Sequence, residues 1–201
     1  MLVDAATATA FIGQVRKNPI NATLLDRLPV LGLQDCWLVA GCLFQTIWNV
    51  RAGRPPTEQI RDYDVFYFDA ADISYEAENV EIRRLAAAFA DLQAPIELKN
   101  QARVHLWYRQ RFGHDYPQLL RSTDGIDRFL VECTCVGIAC AQGAPPRVYA
   151  SYGLANLYAG ILRPNWRNHP ESRFEQKAAS YAKRWPWLKI DPVAVVPADG
   201  W

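Results

Sequence analysis

The chain has 201 residues, half of them hydrophobic, and its 22 basic residues nearly balance its 21 acidic residues, for a formal charge of +1. This composition predicts a folded domain with a sizeable core and excludes a disordered tail. The charge balance argues against a protein that coats nucleic acid, because phosphate binding needs an excess of lysine and arginine. Nucleic acid is therefore not expected as a partner.

Two further features bound the class of protein. No apolar run approaches the ~20 residues of a membrane-spanning helix, and the N-terminal residues lack a charged head followed by a hydrophobic signal core. We therefore expect a cytoplasmic protein without membrane contact. Five cysteines lie inside apolar runs, which favours reduced, buried thiols over disulfides or a zinc site; they are Cys36, Cys42, Cys133, Cys135 and Cys140.

Helical spacing and short apolar runs predict alternating helices and strands along the chain. In chain order, helices are predicted over 5–15, from an N-cap at Asn21, over 43–50, from an N-cap at Ser74 to about 92, and over 107–112, 154–161 and 172–183. Strands are predicted over 36–40, 65–68, 96–98, 104–107, 133–140 and 147–150. No repeat or linker interrupts this order, so residues 1–201 are predicted to form one domain.

A pair of carboxylates precedes the second predicted strand. Asp62 and Asp64 lie two residues apart, and because a strand has period two, both side chains are expected on one face. Two close like charges repel each other, and a divalent cation such as Mg²⁺ (or Mn²⁺) offsets that repulsion. On the pattern alone, a polar turn that enters a strand is the commoner explanation of such a pair.

A glycine stands between the first buried strand and the next helix, in the sequence Ala40-Gly41-Cys42. Glycine lets the backbone approach a ligand closely, and a helix N-terminus presents free N–H groups to an anion. Alone, Gly41 indicates only a tight turn. Together with the two aspartates it predicts a phosphate cradle beside a metal site.

Four segments, at 41–49, 62–69, 99–108 and 153–165, resemble a bacterial nucleotidyltransferase-like family of the polymerase-beta superfamily. The resemblance covers roughly residues 20–190. It implies an α/β (α+β) nucleotidyltransferase fold, a mixed β-sheet flanked by helices. It also implies a metal-dependent enzyme that moves a nucleoside monophosphate from an NTP to an acceptor that the sequence does not identify.

The resemblance implies roles for individual residues. Asp62 and Asp64 would hold Mg²⁺ against the triphosphate, and the backbone of Gly41 and Cys42 would cradle the phosphates. Cys42 stands where the superfamily usually has serine or glycine, which puts one hydroxyl contact to phosphate in doubt. His105 stands where a third carboxylate is expected, and a histidine has a pKa suited to base catalysis.

Several alternatives stay open on the sequence. Glu97 and Asp69 are other candidates for the third acid. Lys99 and Arg103 are candidates for phosphate binding, with a solvated basic face as the equal alternative. The departures at Cys42 and His105 favour a second hypothesis, in which the same fold is a nucleotide-binding or interaction module without turnover.

Two other groups of residues have a structural and a functional interpretation. Gln45 and Asn49 share one helical face, where they either contact a base or sugar or form a satisfied polar cap. Basic residues and tryptophans alternate between residues 163 and 189. We expect these tryptophans, among them Trp185, to anchor a helix on the core rather than to stack on nucleic acid.

Overall fold

The structure is a computed structural model that describes residues 1–168 and 171–193. Its helices are α1 Ala5–Val15, α2 Pro19–Arg27, α3 Gly41–Arg51, α4 Tyr75–Ala88, α5 Val104–Phe112, α6 Ser122–Ile126, α7 Ala155–Ala159 and α8 Glu171–Arg184. Its strands are β1 Trp37–Val39, β2 Tyr63–Tyr67, β3 Ile96–Asn100, β4 Val136–Ala139, β5 Val148–Ala150, β6 Ile161–Leu162 and β7 Lys189–Ile190. No helix among the described residues is long and apolar enough to cross a membrane.

Five of the strands form one mixed sheet in the order β3-β2-β1-β4-β5. β1 pairs antiparallel with β2 and with β4, whereas β2 and β3 run parallel, with α4 between them in the chain. The parallel register places Asp64 beside Glu97 and Phe66 beside Lys99. Helices flank this sheet, so the predicted fold class is confirmed.

The two faces of β2 have different surroundings. Tyr63, Val65 and Tyr67 are buried in the main core, which also takes in side chains of α1, α3 and α8. The alternate residues Asp64 and Phe66 point to the opposite face of the sheet, where Phe66 packs on a smaller apolar cluster. The strand therefore has a core face and a face that is free to build a site.

Local caps decide where two of the helices begin. The predicted cap of α4 is confirmed, since Ser74 Oγ accepts from the backbone N–H of Ala77 at 3.2 Å. The predicted cap at Asn21 is wrong: Asn18 caps α2 through a 3.0 Å bond from Ile20 N, with Pro19 in the first turn. Asn21 is buried inside the helix and donates to the Cys42 carbonyl at 2.8 Å.

Residues 104–107, predicted as a strand, form the first turns of α5. Asn100 Oδ1 accepts from Ala102 N at 3.0 Å, which turns the chain at the end of β3 into a short 3₁₀ segment. The buried residues of α5, Val104 and Tyr108, lie four apart and share one helical face. The helix ends at Gly113 with a φ of 81°, as the glycine predicted.

Other boundaries differ from the predicted ones. The strand predicted from residue 133 begins at Val136, because Glu132–Thr134 form a 3₁₀ turn. The helix predicted to residue 92 ends at Ala88, and the helix predicted over 154–161 is shorter, at Ala155–Ala159.

Buried tryptophans join the last long helix to the core. Trp185 Nε1 donates to Asn49 Oδ1 at 2.9 Å, and Trp48 Nε1 donates to the Leu157 carbonyl at 3.1 Å. Trp185 therefore anchors α8, as expected, and the amide of Asn49 serves this contact. All five cysteines are free and buried, which confirms the prediction of reduced core thiols.

Candidate active site

A cavity of about 370 Å³ opens on the second face of the sheet. Residues from β2, α3, α5 and α8 line it, together with the segment between α6 and β4. Asp62 and Asp64 lie in this lining, together with Gly41 and Lys99. The structure thus brings together four of the residues singled out from the sequence.

The carboxylates lie in an environment that opposes a second negative charge. Burial, and then the negative charges of Asp62 and Glu97, raise the pKa of Asp64 from 3.8 to about 7. Lys177 and Lys99 act in the opposite direction but do not offset these effects. Two carboxylates this close repel each other, and a positive charge beside them offsets the repulsion.

The N-terminus of α3 borders the same cavity. Ala40, the residue before the helix, has a φ of 62° and a ψ of −138°, and no side chain caps the helix there. The first N–H groups of a helix have no intrahelical partner and lie at its positive end. This terminus can therefore bind an anion that enters the cavity.

Gly41 and Cys42 contribute differently to this terminus. A Cβ atom on Gly41 would lie 2.5 Å from Nε2 of Gln45, so the glutamine amide lies across the bare backbone of the glycine. The thiol of Cys42 is buried, is 3.2 Å from the Val39 carbonyl, and has a pKa well above the ordinary value because of burial. Cys42 is fully buried and is not part of the cavity lining, so its thiol is not available to a ligand.

Aromatic side chains dominate the rest of the lining. They are Phe44, Phe66, Trp107, Tyr108, Phe112, Tyr116, Phe129 and Tyr181. The rings of Tyr108 and Tyr116 lie 4.2 Å apart at 31°, and the guanidinium of Arg128 lies 5.4 Å from the ring centre of Tyr116. This wall offers flat apolar surfaces for stacking a planar ligand.

α8 supplies a cation that the sequence analysis did not single out. Lys177 lines the cavity, and its Nζ lies 5.4 Å from the ring centre of Tyr181. Burial and the charge of Arg184 lower the pKa of the Lys177 ammonium, whereas Asp62 and Asp64 raise it. No local motif marks Lys177, because α8 reaches the cavity only through the tertiary fold.

Two of the predicted site residues lie away from the cavity. Arg103 pairs with the buried carboxylate of Glu78 and donates from Nε to the Ile73 carbonyl at 3.2 Å. His105 lies on the first turn of α5 and is not part of the lining, although Val104 and Trp107 are. The segment predicted as a strand beside Asp64 is a helix, and in it His105 is not among the residues that line the cavity.

The two alternative acids occupy different places. Glu97 is the neighbour of Asp64 across the β2–β3 pair and lies 3.8 Å from Lys99. Asp69 is absent from the lining and accepts from Ala71 N at 2.8 Å. Among the described residues, no group of three or more His, Cys, Asp and Glu side chains is arranged to hold a metal ion.

Comparisons with known proteins point in one direction. A family model described as "Nucleotidyltransferase" matches residues 26–190. A solved structure described as a CCA-adding enzyme head domain is 26% identical, with a TM-score of 0.71 over 91% of this chain and 95% of that chain. A complex of a CCA-adding enzyme with CTP is 11% identical, with a TM-score of 0.51 over 92% of this chain and 43% of that chain.

At 11% identity, the likeness to the complex of a CCA-adding enzyme with CTP shows a shared fold and nothing more. A search of curated proteins finds no match. These comparisons give no support to the prediction that nucleic acid is not a partner. The balanced net charge on which that prediction rests describes the whole chain and says little about the surface around one cavity.

Proposed function

We propose that this chain, which belongs to the nucleotidyltransferase family, transfers a nucleoside monophosphate from an NTP to an acceptor hydroxyl with the help of Mg²⁺ or Mn²⁺. The observation that supports this most is the shared cavity, which is lined by Asp62 and Asp64, by the N-terminus of α3 and by two lysines, Lys99 and Lys177. A carboxylate pair next to an anion site fits a metal-bound triphosphate.

The donor set of the cavity suits a hard cation that arrives with its substrate. Mg²⁺ is commonly held by one or two carboxylates, with phosphate oxygens and water as its other ligands. Asp62 and Asp64 are such a pair, and burial together with the charges of Asp62 and Glu97 raises the pKa of Asp64 to about 7, an effect that a bound cation would oppose. When bound, the metal would supply charge that stabilises the attacking and leaving oxygens.

The chain itself would position the nucleotide. The N–H group of Gly41 at the start of α3 would bind a phosphate oxygen, and the aromatic wall around Tyr108 and Tyr116 would stack on the base. The acceptor oxygen would form a bond to the α-phosphorus. The bond between that phosphorus and the bridging oxygen would break, and pyrophosphate would leave with the electron pair.

The proton of the acceptor hydroxyl needs a base close to Asp64. Neither Glu97 nor His105 is part of the cavity lining, but Glu97 is the neighbour of Asp64 in the sheet and its charge acts on that carboxylate. We assign Glu97 as the group that accepts the proton and passes it to water.

The acceptor to test first is the 3′ hydroxyl of an RNA. The support for this choice is the match to a CCA-adding enzyme head domain, which covers 95% of that chain at 26% identity. A hydroxyl on a protein or a small molecule is the alternative acceptor.

The first experiment is thermal unfolding with each of the four NTPs, with and without Mg²⁺ or Mn²⁺, on the wild type and Asp64→Asn. At a hundredfold excess over Kd, a ligand of the folded state stabilises it by about 2.7 kcal/mol. We expect a metal-dependent shift in the wild type that Asp64→Asn loses. No shift with any NTP would refute the proposed function.

Transfer is measured separately, by incorporation of a labelled nucleotide into an RNA with a free 3′ hydroxyl. Binding without transfer to RNA or to any other hydroxyl would favour the second hypothesis, a nucleotide-binding module. The buried thiol of Cys42, in place of a hydroxyl at the phosphate cradle, is the observation that favours that alternative.

A further inference from the structure

Four buried polar side chains form a network that joins α2, α3 and β2, namely Asn18, Asn21, Thr46 and Tyr63, here called the polar network. Each of them is at most 2% exposed, and none of them lines the cavity. Burying a polar group costs free energy unless hydrogen bonds replace those that it made to water. The bonds within the network therefore decide what these side chains contribute.

The hydroxyl of Thr46 is the centre of the polar network. It accepts from Asn18 Nδ2 and from Asn21 Nδ2, both at 3.2 Å, and it donates to the Cys42 carbonyl at 2.7 Å. Asn21 Nδ2 donates to the same carbonyl at 2.8 Å. Two side chains thus fix the carbonyl of Cys42 in the first turn of α3, one residue after Gly41.

Asn18 connects the polar network to β2. Its Nδ2 donates to Tyr63 Oη at 3.2 Å as well as to Thr46. Tyr63 stands between Asp62 and Asp64 in the chain. Because side chains alternate along a strand, its ring lies in the main core whereas Asp64 lines the cavity on the other face. The bond to Tyr63 Oη therefore anchors the part of β2 that carries the two carboxylates.

One atom of the polar network has no hydrogen bond. Within the part of the chain that the structure describes, Asn21 Oδ1 is buried and accepts from no donor. An unpaired buried acceptor costs free energy, which an apolar side chain of similar size would avoid. The amide of Asn21 provides instead a directional bond to the Cys42 carbonyl, so its contribution is to the geometry of α3 more than to stability.

We propose that Asn18, Asn21 and Thr46 are positioning residues, which hold the first turn of α3 at a fixed place relative to the aspartates of β2. This inference rests on the proposed function, in which Gly41 and the two aspartates act on one metal-bound triphosphate. Groups that act together on one substrate must be placed accurately, because a shift of about 1 Å can cost on the order of a hundredfold in rate. The polar network ties both parts of the site to α2 and so keeps them aligned.

The first test separates the hydroxyl of Thr46 from the volume of its side chain. Thr46→Val removes the hydroxyl with little change in volume, and Thr46→Ser keeps it. Transfer of a labelled nucleotide is measured at a temperature where urea unfolding shows every variant to be folded. We expect Thr46→Val to lower kcat about tenfold while the KM for NTP changes less than about threefold, and Thr46→Ser to keep at least about half of the wild-type kcat.

The second test removes one hydroxyl from β2. Tyr63→Phe deletes the group that is bonded to Asn18, and Tyr67→Phe, on the same core face of the same strand, is the matched control. We expect Tyr63→Phe to lower kcat about fivefold and Tyr67→Phe to keep the wild-type kcat. If the polar network only stabilised the fold, both folded variants would transfer at the wild-type rate.

A third readout needs neither nucleotide nor metal. In NMR spectra of the free protein, the backbone amide signals of Gly41 and Asp64 should move in Thr46→Val and stay in place in Thr46→Ser. Unmoved signals, or a wild-type kcat in folded Thr46→Val and Tyr63→Phe, would each overturn this inference, while transfer by the wild type would leave the proposed function standing. A wild type that neither binds nor transfers a nucleotide would overturn both.

Discussion

Replacing Asp64 by asparagine should make the metal-free protein more stable at neutral pH while removing its activity. The aspartate is held in a folded environment where burial and the charges of Asp62 and Glu97 disfavour its ionised form. An unfolded chain exposes the same carboxyl to water, where it ionises freely. Asparagine has nearly the same shape and never carries the charge, so the folded variant does not bear the free-energy cost of a buried negative charge.

The size and the pH window of the effect follow from the pKa. Raising it from 3.8 to about 7, at ~1.4 kcal/mol for each pH unit, corresponds to a destabilisation of up to about 4 kcal/mol. Well below pH 3.8, the carboxyl is neutral in both states and the penalty is absent. It grows as the unfolded chain ionises, and it is complete above pH 7, where the folded protein ionises too.

The assay is urea unfolding in EDTA between pH 4 and pH 8.5 for the wild type, for Asp64→Asn and for a control. Glu175→Gln is a suitable control, because it removes one exposed carboxylate from α8. The free energy of unfolding of Asp64→Asn should exceed that of the wild type by an amount that grows from about pH 4 to pH 7 and is constant above pH 7. The free energy of unfolding of the control should change with pH as that of the wild type does. A stability difference that does not change with pH would refute the reasoning.

Three other substitutions test separate parts of the structure. Ala40→Gly should raise the free energy of unfolding in urea by about 1 kcal/mol, since glycine adopts a positive φ without steric cost; unchanged or lower stability would contradict strain at Ala40. Arg103→Gln should lower it by about 3 kcal/mol, because the buried carboxylate of Glu78 loses its partner, and should leave NTP affinity unchanged in titrations at low temperature. A loss of NTP affinity without a loss of stability would instead place Arg103 in the site. Glu97→Gln should lower kcat about a hundredfold with little change in the KM for NTP, as expected for a proton acceptor, and full activity would remove Glu97 from the mechanism.

The β1–α3–β2 segment could be predicted because local patterns determine it. A short apolar run predicted β1, a glycine marked the start of α3, and the period of a strand placed Asp64 on the same face as Phe66. These features depend on neighbours within a few residues. The fold class followed from the same segments through the family resemblance, and the sheet order confirms it.

The errors arose where distant residues decide the structure. The sequence from Val104 alternates in a way that suits a strand, but the turn held by Asn100 and the burial of Tyr108 make it a helix. Arg103 lies close to the phosphate candidates in the chain, yet its partner Glu78 is 25 residues upstream on α4. Neither fact is visible in a local pattern.

The sequence analysis missed Lys177 and the aromatic wall for the same reason: distant residues decide where these side chains lie. Lys177 lies on a helix whose charges look like a solvated face until α8 docks beside the aspartates. The aromatic wall comes from five separate segments, which the tertiary fold brings together. A site assembled in this way can be recognised only after the elements have been placed.

The contact between Arg184 and Gln45 spans 139 residues of the chain, and this long connection couples occupancy of the cavity to the docking of one helix. Lys177 and Tyr181 of α8 form part of the cavity lining, so undocking of this helix would leave the cavity open along one side. A ligand that touches both α3 and α8 would therefore favour the docked state, and the amide hydrogens of α8 would exchange more slowly with solvent when the cavity is filled.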